Sequence, residues 1–374
     1  GVLSFITSSD TAGLQVSVMK DMDTARKTYI LSRGVYDQHA EEVFPGTPKA
    51  IMAFSPELPA NRLGLSEWLF DAKNPLTARV FVNRVWQEIF GRGIVKSSND
   101  FGMQGELPTN PKLLDWLAVD FRENGWNIKR LVKQIYMSAT YRQSSAVTPE
   151  KLKADPENIY LSYAPRIRMN AEMIRDMALA SSGLLQPIIG GPSVKPYQPP
   201  GLWELATSGR GLLATYKQDH GDKLYRRGLY TFIKRTVPPP AMMIFDASNR
   251  DQCEVKRSRT NTPLQALIMM NDPTVLEASV ALADHLTQAK EKPEAAVTDA
   301  FLRIINRHPD KQEQAILLEY LDEQQAWFKA NPATIEKVTK VGEYKMKSAP
   351  APEVAALARL VQVIYNMDEA ITKT

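Results

Sequence analysis

Residues 261–290 read NTPLQALIMMNDPTVLEASVALADHLTQAK, and their start signals set the fold class. Thr262-Pro263-Leu264-Gln265 has the form of a capping box. The threonine hydroxyl and the glutamine side chain, three positions apart, satisfy two amides that a helix start leaves orphaned, and the proline has no N–H to lose at the first helical position. Asp272-Pro273 repeats this chemistry and opens a second helix running to about Lys290. Two successive capped helices predict a helical body.

The same polar cap followed by proline recurs upstream. Asn74-Pro75 opens a segment whose Leu76, Val80, Val85 and Ile89 fall near helical spacing, with Gly91 and Gly93 to stop it. Asn110-Pro111 opens another, with Leu113, Leu114, Leu117 and Phe121 on one side and Gly125 as its exit. Asn127 caps a third, with Ile128, Leu131, Val132, Ile135 and Ala139 inward, and Asn170 begins a fourth through Ile174, Met177 and Ala178 to Gly183. Downstream, helices are predicted at about 293–307, 309–330 and 351–366, the last after a Lys, Pro and Ala linker.

Strand signals are few: β-prone runs at Leu14 to Met19 and Thr28 to Leu31, and a short strand at Leu229 to Ile233 ended by Pro238 to Pro240. Gly190 to Gly201 is too rich in proline and glycine for regular structure and reads as a long ordered loop or a lid. The expected fold is therefore mainly α, an irregular multi-helix domain with long Pro/Gly-rich loops and a minor β component. Its expected division is an extended lead-in over residues 1–60, a helical core domain over 61–290 and a C-terminal helical subdomain over 291–374.

Composition narrows the function classes. The formal charge of +4 over 374 residues is small, and a pI near 8.9 falls short of a dedicated nucleic-acid binder. No stretch approaches the roughly 18 apolar residues that would cross a bilayer. Gly1 is not followed by a basic region and an apolar run, so the sequence suggests either a cytoplasmic protein or an internal piece of a longer one. The single cysteine, Cys253, excludes an internal disulfide and a Cys-based zinc site, and it reads as a small packed residue.

Several motifs fail on context. Gly91-Arg92-Gly93 closes a helix, whereas a phosphate-cradling loop must open one. His39, His220, His285 and His308 show no spacing that puts two metal ligands on one face. Ser193 and Ser208 lack the flanking glycines of a nucleophile elbow. Glu172 and Asp176, four apart on a predicted helix with Arg168 and Arg175 nearby, read as a salt-bridged face more readily than as a general acid and base.

One segment stands out. Arg226, Arg227, Lys234, Arg235, Arg250, Lys256, Arg257 and Arg259 face only Asp246, Asp251 and Glu254, a local excess of five positive charges. Guanidinium groups prefer planar anions such as carboxylate, sulfate or phosphate, and the segment is poor in regular structure, where binding groups tend to sit.

Seven stretches together resemble a known family. They are LSRGVYD (31–37), NRLGLSEWL (61–69), NPLTARVFVNRVWQEIFGRGIV (74–95), NDFGMQGELPTNPKLLDWLA (99–118), SATYRQSS (138–145), GGPSV (190–194) and RTNTPLQALIMMNDP (259–273). In this order they are similar to the planctomycete-type, cytochrome-c-associated C-terminal domain family, domain of unknown function 1553. The resemblance marks Arg84, Trp86, Asp100, Arg142, Arg235, Asp246, Arg259 and Gln265 as pattern positions, and Thr109 departs from a histidine common in relatives. It implies an extracytoplasmic setting, periplasmic or at the cell surface, within a larger exported protein. Haem belongs only to upstream domains of relatives, so no cofactor and no metal is expected in this chain, and no catalytic residue carries over.

Three functions follow as expectations. The first is a binding domain that engages an anionic partner, such as a sulfated or uronic polysaccharide, through Arg226, Lys234, Arg235 and Arg259. The second is a glycan-active enzyme with Asp246 or Asp100 as acid or base, assisted by Tyr230 or His220. The third is a structural module docking against upstream domains of its own polypeptide. Nucleic acid and a membrane span are not expected.

Overall fold

The computed structural model describes residues 18–24, 26–211, 213–290 and 292–373. The protein is mainly α-helical with a minor β component, and the chain forms two compact units: residues 1–85 with 110–132, and residues 86–109 with 133–374.

In the first unit, Thr28–Leu31 (β1) pairs antiparallel with His39–Val43 (β2). The β1 run is the expected one; most of the Leu14 to Met19 run lies outside the described residues. No described residue up to Ala60 is buried. The helices are Arg62–Phe70 (α1), Thr77–Phe90 (α2), Pro111–Glu123 (α3) and Ile128–Tyr136 (α4), the second and fourth continuing into the other unit. Asparagines start them, at Asn74, Asn110 and Asn127 as read and at Asn61 in addition. Asn61 Oδ1 accepts from Gly64 N at 3.1 Å, Asn74 from Leu76 N at 3.0 Å, Asn110 from Leu113 N at 3.1 Å and Asn127 from Arg130 N at 3.0 Å, each satisfying one orphaned amide.

Val82, Leu114, Leu117, Phe121 and Leu131 are buried, with Phe81 stacked on Phe121 at 5.1 Å. Ile128 and Ala139, expected inward, are exposed. Ile128 is the first residue after the cap, and Ala139 lies beyond the end of α4, so neither belongs to the helix's buried stripe.

The second unit continues with Pro149–Ala154 (α5), Ile167–Arg168 (β3), Ala171–Ser181 (α6), Leu202–Thr207 (α7), Pro240–Ile244 (α8), Pro263–Asn271 (α9) and Pro273–Gln288 (α10). Pro293–Ile305 (α11), Lys311–Ala330 (α12), Ile335–Thr339 (α13), Pro352–Tyr365 (α14) and Thr372–Lys373 (β4) complete it. The capping box at Thr262 and Gln265 is present, and Asp272 accepts from Thr274 N at 2.9 Å.

α10 is buried along almost its whole length and packs against α6, α9, α11 and α14. Leu282 and Val280 on it, Phe301 on α11, Leu321 on α12 and Leu360 on α14 join one apolar core. Each such side chain contributes about 1.5–3 kcal/mol by leaving water. Among the described residues, no single helix is long and apolar enough to cross a membrane. β3 pairs antiparallel with β4.

The strand expected at Leu229 to Ile233 does not form. Gly228–Tyr230 is one 3-10 turn, and Thr231 makes only an isolated bridge to Val194, so no run of partners exists to build a ladder. The stretch between α12 and α14 is no loose linker either, because α13 interrupts it and amides of residues 343, 344, 347 and 348 are held by carboxylates of α10.

Candidate functional site

The basic segment divides into groups engaged inside the fold and groups left facing solvent. Arg226 is 6% exposed. Its guanidinium donates to Pro192 O at 3.0 Å, Ile188 O at 3.0 Å and Gly190 O at 2.5 Å, and lies 3.8 Å over the Tyr230 ring. Tyr230 Oη accepts from Gly190 N at 2.7 Å. Arg226 and Tyr230 thus fasten the start of the Pro/Gly-rich loop, where carbonyls without ladder partners need donors.

Arg227 donates to Asp176 at 3.1 Å, and Gly228 N donates to the same carboxylate at 2.6 Å. Arg257 meets Glu172 at 2.7 Å. Glu172 and Asp176 therefore form the salt-bridged face of α6 that their spacing suggested. Gly228 is required there, since a Cβ would stand 2.8 Å from Glu172 Cα. Arg259 Nη1 donates to Gly91 O at 3.4 Å and Lys373 Nζ to Ile89 O at 3.1 Å, so two cations serve the carbonyl end of α2.

Lys234 and Arg235 behave differently. Phe232 N donates to Val194 O and Val194 N to Tyr230 O, both at 2.8 Å, a pairing that sets Lys195 beside Phe232. Lys195 Nζ lies 5.3 Å from the Phe232 ring and 5.8 Å from Trp203, while Lys234 Nζ lies 4.5 Å over the same indole and donates to Leu213 O at 2.7 Å. Trp203 is 1% exposed and packs edge-on against Tyr216, so its face orients ammonium groups. Arg235 follows and is exposed. Among the described residues, Lys195, Lys234 and Arg235 have no ion-pair partner. Nearby Asp219 is engaged by Lys195 N at 2.8 Å and by Lys223 at 3.5 Å.

The other named candidates sit in separate places. Asp246, at φ 57°, accepts from Thr260 N at 2.7 Å and Thr260 Oγ1 at 2.8 Å, and Gln265 Nε2 reaches that hydroxyl at 3.1 Å. This pins the 246–260 loop ahead of α9. Asp100 Oδ1 accepts from Gly102 N at 2.7 Å within a tight turn. His220 Nδ1 lies 2.5 Å from Glu343 and is largely exposed. No hydrogen bond or ion pair among the described residues joins Asp246, Asp100 and His220. No group of three His, Cys, Asp or Glu side chains is placed to hold a metal among the described residues.

Lys195 and Trp203 escaped the sequence reading because only tertiary pairing brings them to Lys234. Glu277 and Asp284 escaped it too. Both are fully buried on α10, and their signal was two acids on one face of a helix otherwise rich in Ala, Val and Leu.

No curated protein and no solved structure matches the chain. The family profile described as PSD1, protein of unknown function (DUF1553), matches residues 61–321. With the greater part of its length covered by that profile, the chain belongs to the PSD1 family of DUF1553 proteins.

Proposed function

We propose that this chain is a binding domain carried on a larger exported polypeptide, and that it holds an anionic polymer, a sulfated or uronic polysaccharide, at the patch formed by Lys195, Lys234 and Arg235. The observation that carries the reading is the convergence of two ammonium groups on one buried indole with no carboxylate paired to them. The exported setting is the one the sequence's resemblance implies.

Magnitudes favour a polymer over a single small anion. Exposed ion pairs are worth about 0–1 kcal/mol each, so three such cations hold an isolated anion weakly. A chain that repeats its charge gains by engaging several copies or several groups at once. Arg226 is buried against three carbonyls and Arg259 is exposed at the carbonyl end of α2, so the proposed patch centres on Lys195, Lys234 and Arg235. The test is binding of dextran sulfate against neutral dextran across a salt series. Affinity should fall steeply with salt, because screening acts over about 8 Å at physiological ionic strength. Lys234→Ala with Arg235→Ala should weaken binding about tenfold, at somewhat under 1 kcal/mol per cation. An equal loss in the pair Arg250→Ala with Lys256→Ala, or salt-independent binding, would refute it.

A further inference from the structure

Against the carbonyl end of α9 lies a cavity with a free interior of about 130 Å³, walled by Leu276 and Val280 of α10, Val338 of α13 and Ala358 of α14. Its neutral polar groups are already engaged. Gln362 Nε2 donates to Met270 O at 2.5 Å, and Gln362 Oε1 accepts from Arg359 Nη1 at 2.7 Å. Asn271 Nδ2 donates to Leu267 O and the Ser279 hydroxyl to Val275 O, both at 2.8 Å. Two cations complete the lining: Lys337, exposed on α13, and Arg359, half-buried on α14. Among the described residues neither has an ion-pair partner, and Arg359 Nε and Nη2 have no hydrogen-bond acceptor. No acid lines the cavity, and Glu336, the neighbour of Lys337 in the chain, is taken by Lys340 at 2.9 Å.

The side chains left to meet a ligand here are therefore donors, on two positive groups that two helices bring to one space. Like charges around a shared space repel, and an anion between them replaces repulsion with attraction. Among apolar walls that attraction is screened less than on an open surface. Gln362 also covers the Met270 carbonyl, which would otherwise face an anion. Two cations match a dianion better than a monoanion, and a guanidinium edge with an ammonium point charge suits an acceptor carrying oxygens on several sides. Size agrees, because a cavity of about 150 Å³ takes a benzene ring and a tetrahedral oxyanion is smaller than that ring. We infer that this cavity binds a free tetrahedral dianion, phosphate or sulfate, which accepts from the unengaged nitrogens of Arg359 and from Lys337 Nζ.

The test is calorimetric titration of the whole chain with sodium phosphate, sodium sulfate and sodium acetate at constant ionic strength. Phosphate and sulfate should each saturate one site with a dissociation constant on the order of 1 mM, and acetate, with one charge for two cations, should bind about tenfold more weakly. Lys337→Gln, at an exposed position with no partner to lose, should weaken sulfate about fivefold without lowering thermal stability. Arg359→Gln should weaken it about tenfold. Lys329→Gln on α12 removes the same charge at an exposed position outside the lining and should leave affinity unchanged. So should Lys234→Ala with Arg235→Ala, which separates this site from the polysaccharide patch. Phenyl phosphate tells a free ion from the head of a larger ester, and it should bind about tenfold more weakly than phosphate because the interior is smaller than one that takes a benzene ring. Acetate as tight as sulfate, phenyl phosphate as tight as phosphate, no saturable dianion binding, or undiminished binding to the Lys337→Gln protein each overturns the inference.

Discussion

Glu277 and Asp284 stand two helical turns apart on one face of α10, and each draws backbone amides of the 343–348 segment onto a buried carboxylate. Glu277 Oε1 accepts from Glu343 N at 2.5 Å, Tyr344 N at 2.7 Å, Tyr225 Oη at 2.9 Å and Tyr197 Oη at 3.1 Å. Asp284 accepts from Tyr344 Oη at 2.8 Å and from Lys347 N and Ser348 N, both at 2.9 Å. A carboxylate so deep in a core is tolerable only because donors converge on it.

Asp284 should therefore report on acid stability. Burial pushes its carboxyl up, but the amides of Lys347 and Ser348 with the hydroxyls of Ser348 and Tyr344 outweigh burial and hold it at about 2. Since the folded value lies below the unfolded one, the contribution is whole above pH about 4 and is lost as pH falls through about 2. Asp284→Asn should cost on the order of 2 kcal/mol at neutral pH in urea titrations. The gap between the two proteins should close as pH falls through that window. Glu313, held at about 2 by Arg307, titrates in both proteins and cancels in the difference.

Gly342 should be intolerant of any side chain. Its φ is +74°, and a Cβ would stand 2.3 Å from Glu277 Oε1. Gly125, at φ +70°, has open space around the same position. Gly125→Ala should cost about 1–2 kcal/mol from backbone strain alone. Gly342→Ala should exceed it by at least about 1 kcal/mol, because overpacking adds to the strain. Equal losses in denaturant titrations would show that the close approach is relieved cheaply.

These consequences mark where the sequence was readable. The asparagine, threonine and aspartate caps before α2, α3, α9 and α10 could be read because capping acts over three or four residues, and local spacing carries it. The charge excess of the 226–259 segment was equally plain. Which cations it leaves available was not, because the acceptors of Arg226 are carbonyls at 188–192 and that of Arg259 is at Gly91, and no periodicity encodes a pairing over such distances. The partners of Glu277 and Asp284 lie as far away in the chain.

Core truncation should separate the two faces of the capped helices. Leu282→Ala, at a fully buried position of α10, should cost about 2–5 kcal/mol through lost transfer energy and the cavity left behind. Leu264→Ala, 56% exposed on α9, should stay within about 0.5 kcal/mol. Thermal unfolding of the two variants side by side checks both.

Arg226→Met should act through stability and local opening. Removing a charged donor from three carbonyls should cost about 2–3 kcal/mol and expose residues 188–192 to limited proteolysis. Tyr230→Phe, which removes only the acceptor of Gly190 N, should cost about 1 kcal/mol. An Arg226→Met protein that keeps full stability but loses affinity for dextran sulfate would return this arginine to the ligand.

The clamp that Arg226 places on Ile188, Gly190 and Pro192 also bears on how quickly anything can dock nearby. Lys195 emerges three residues past the last clamped carbonyl, so its stem is rooted in backbone already arrested before an encounter. A partner meeting that ammonium has little chain to immobilise, and association should follow a single exponential whose rate rises in proportion to partner concentration, without the plateau of a slow rearrangement.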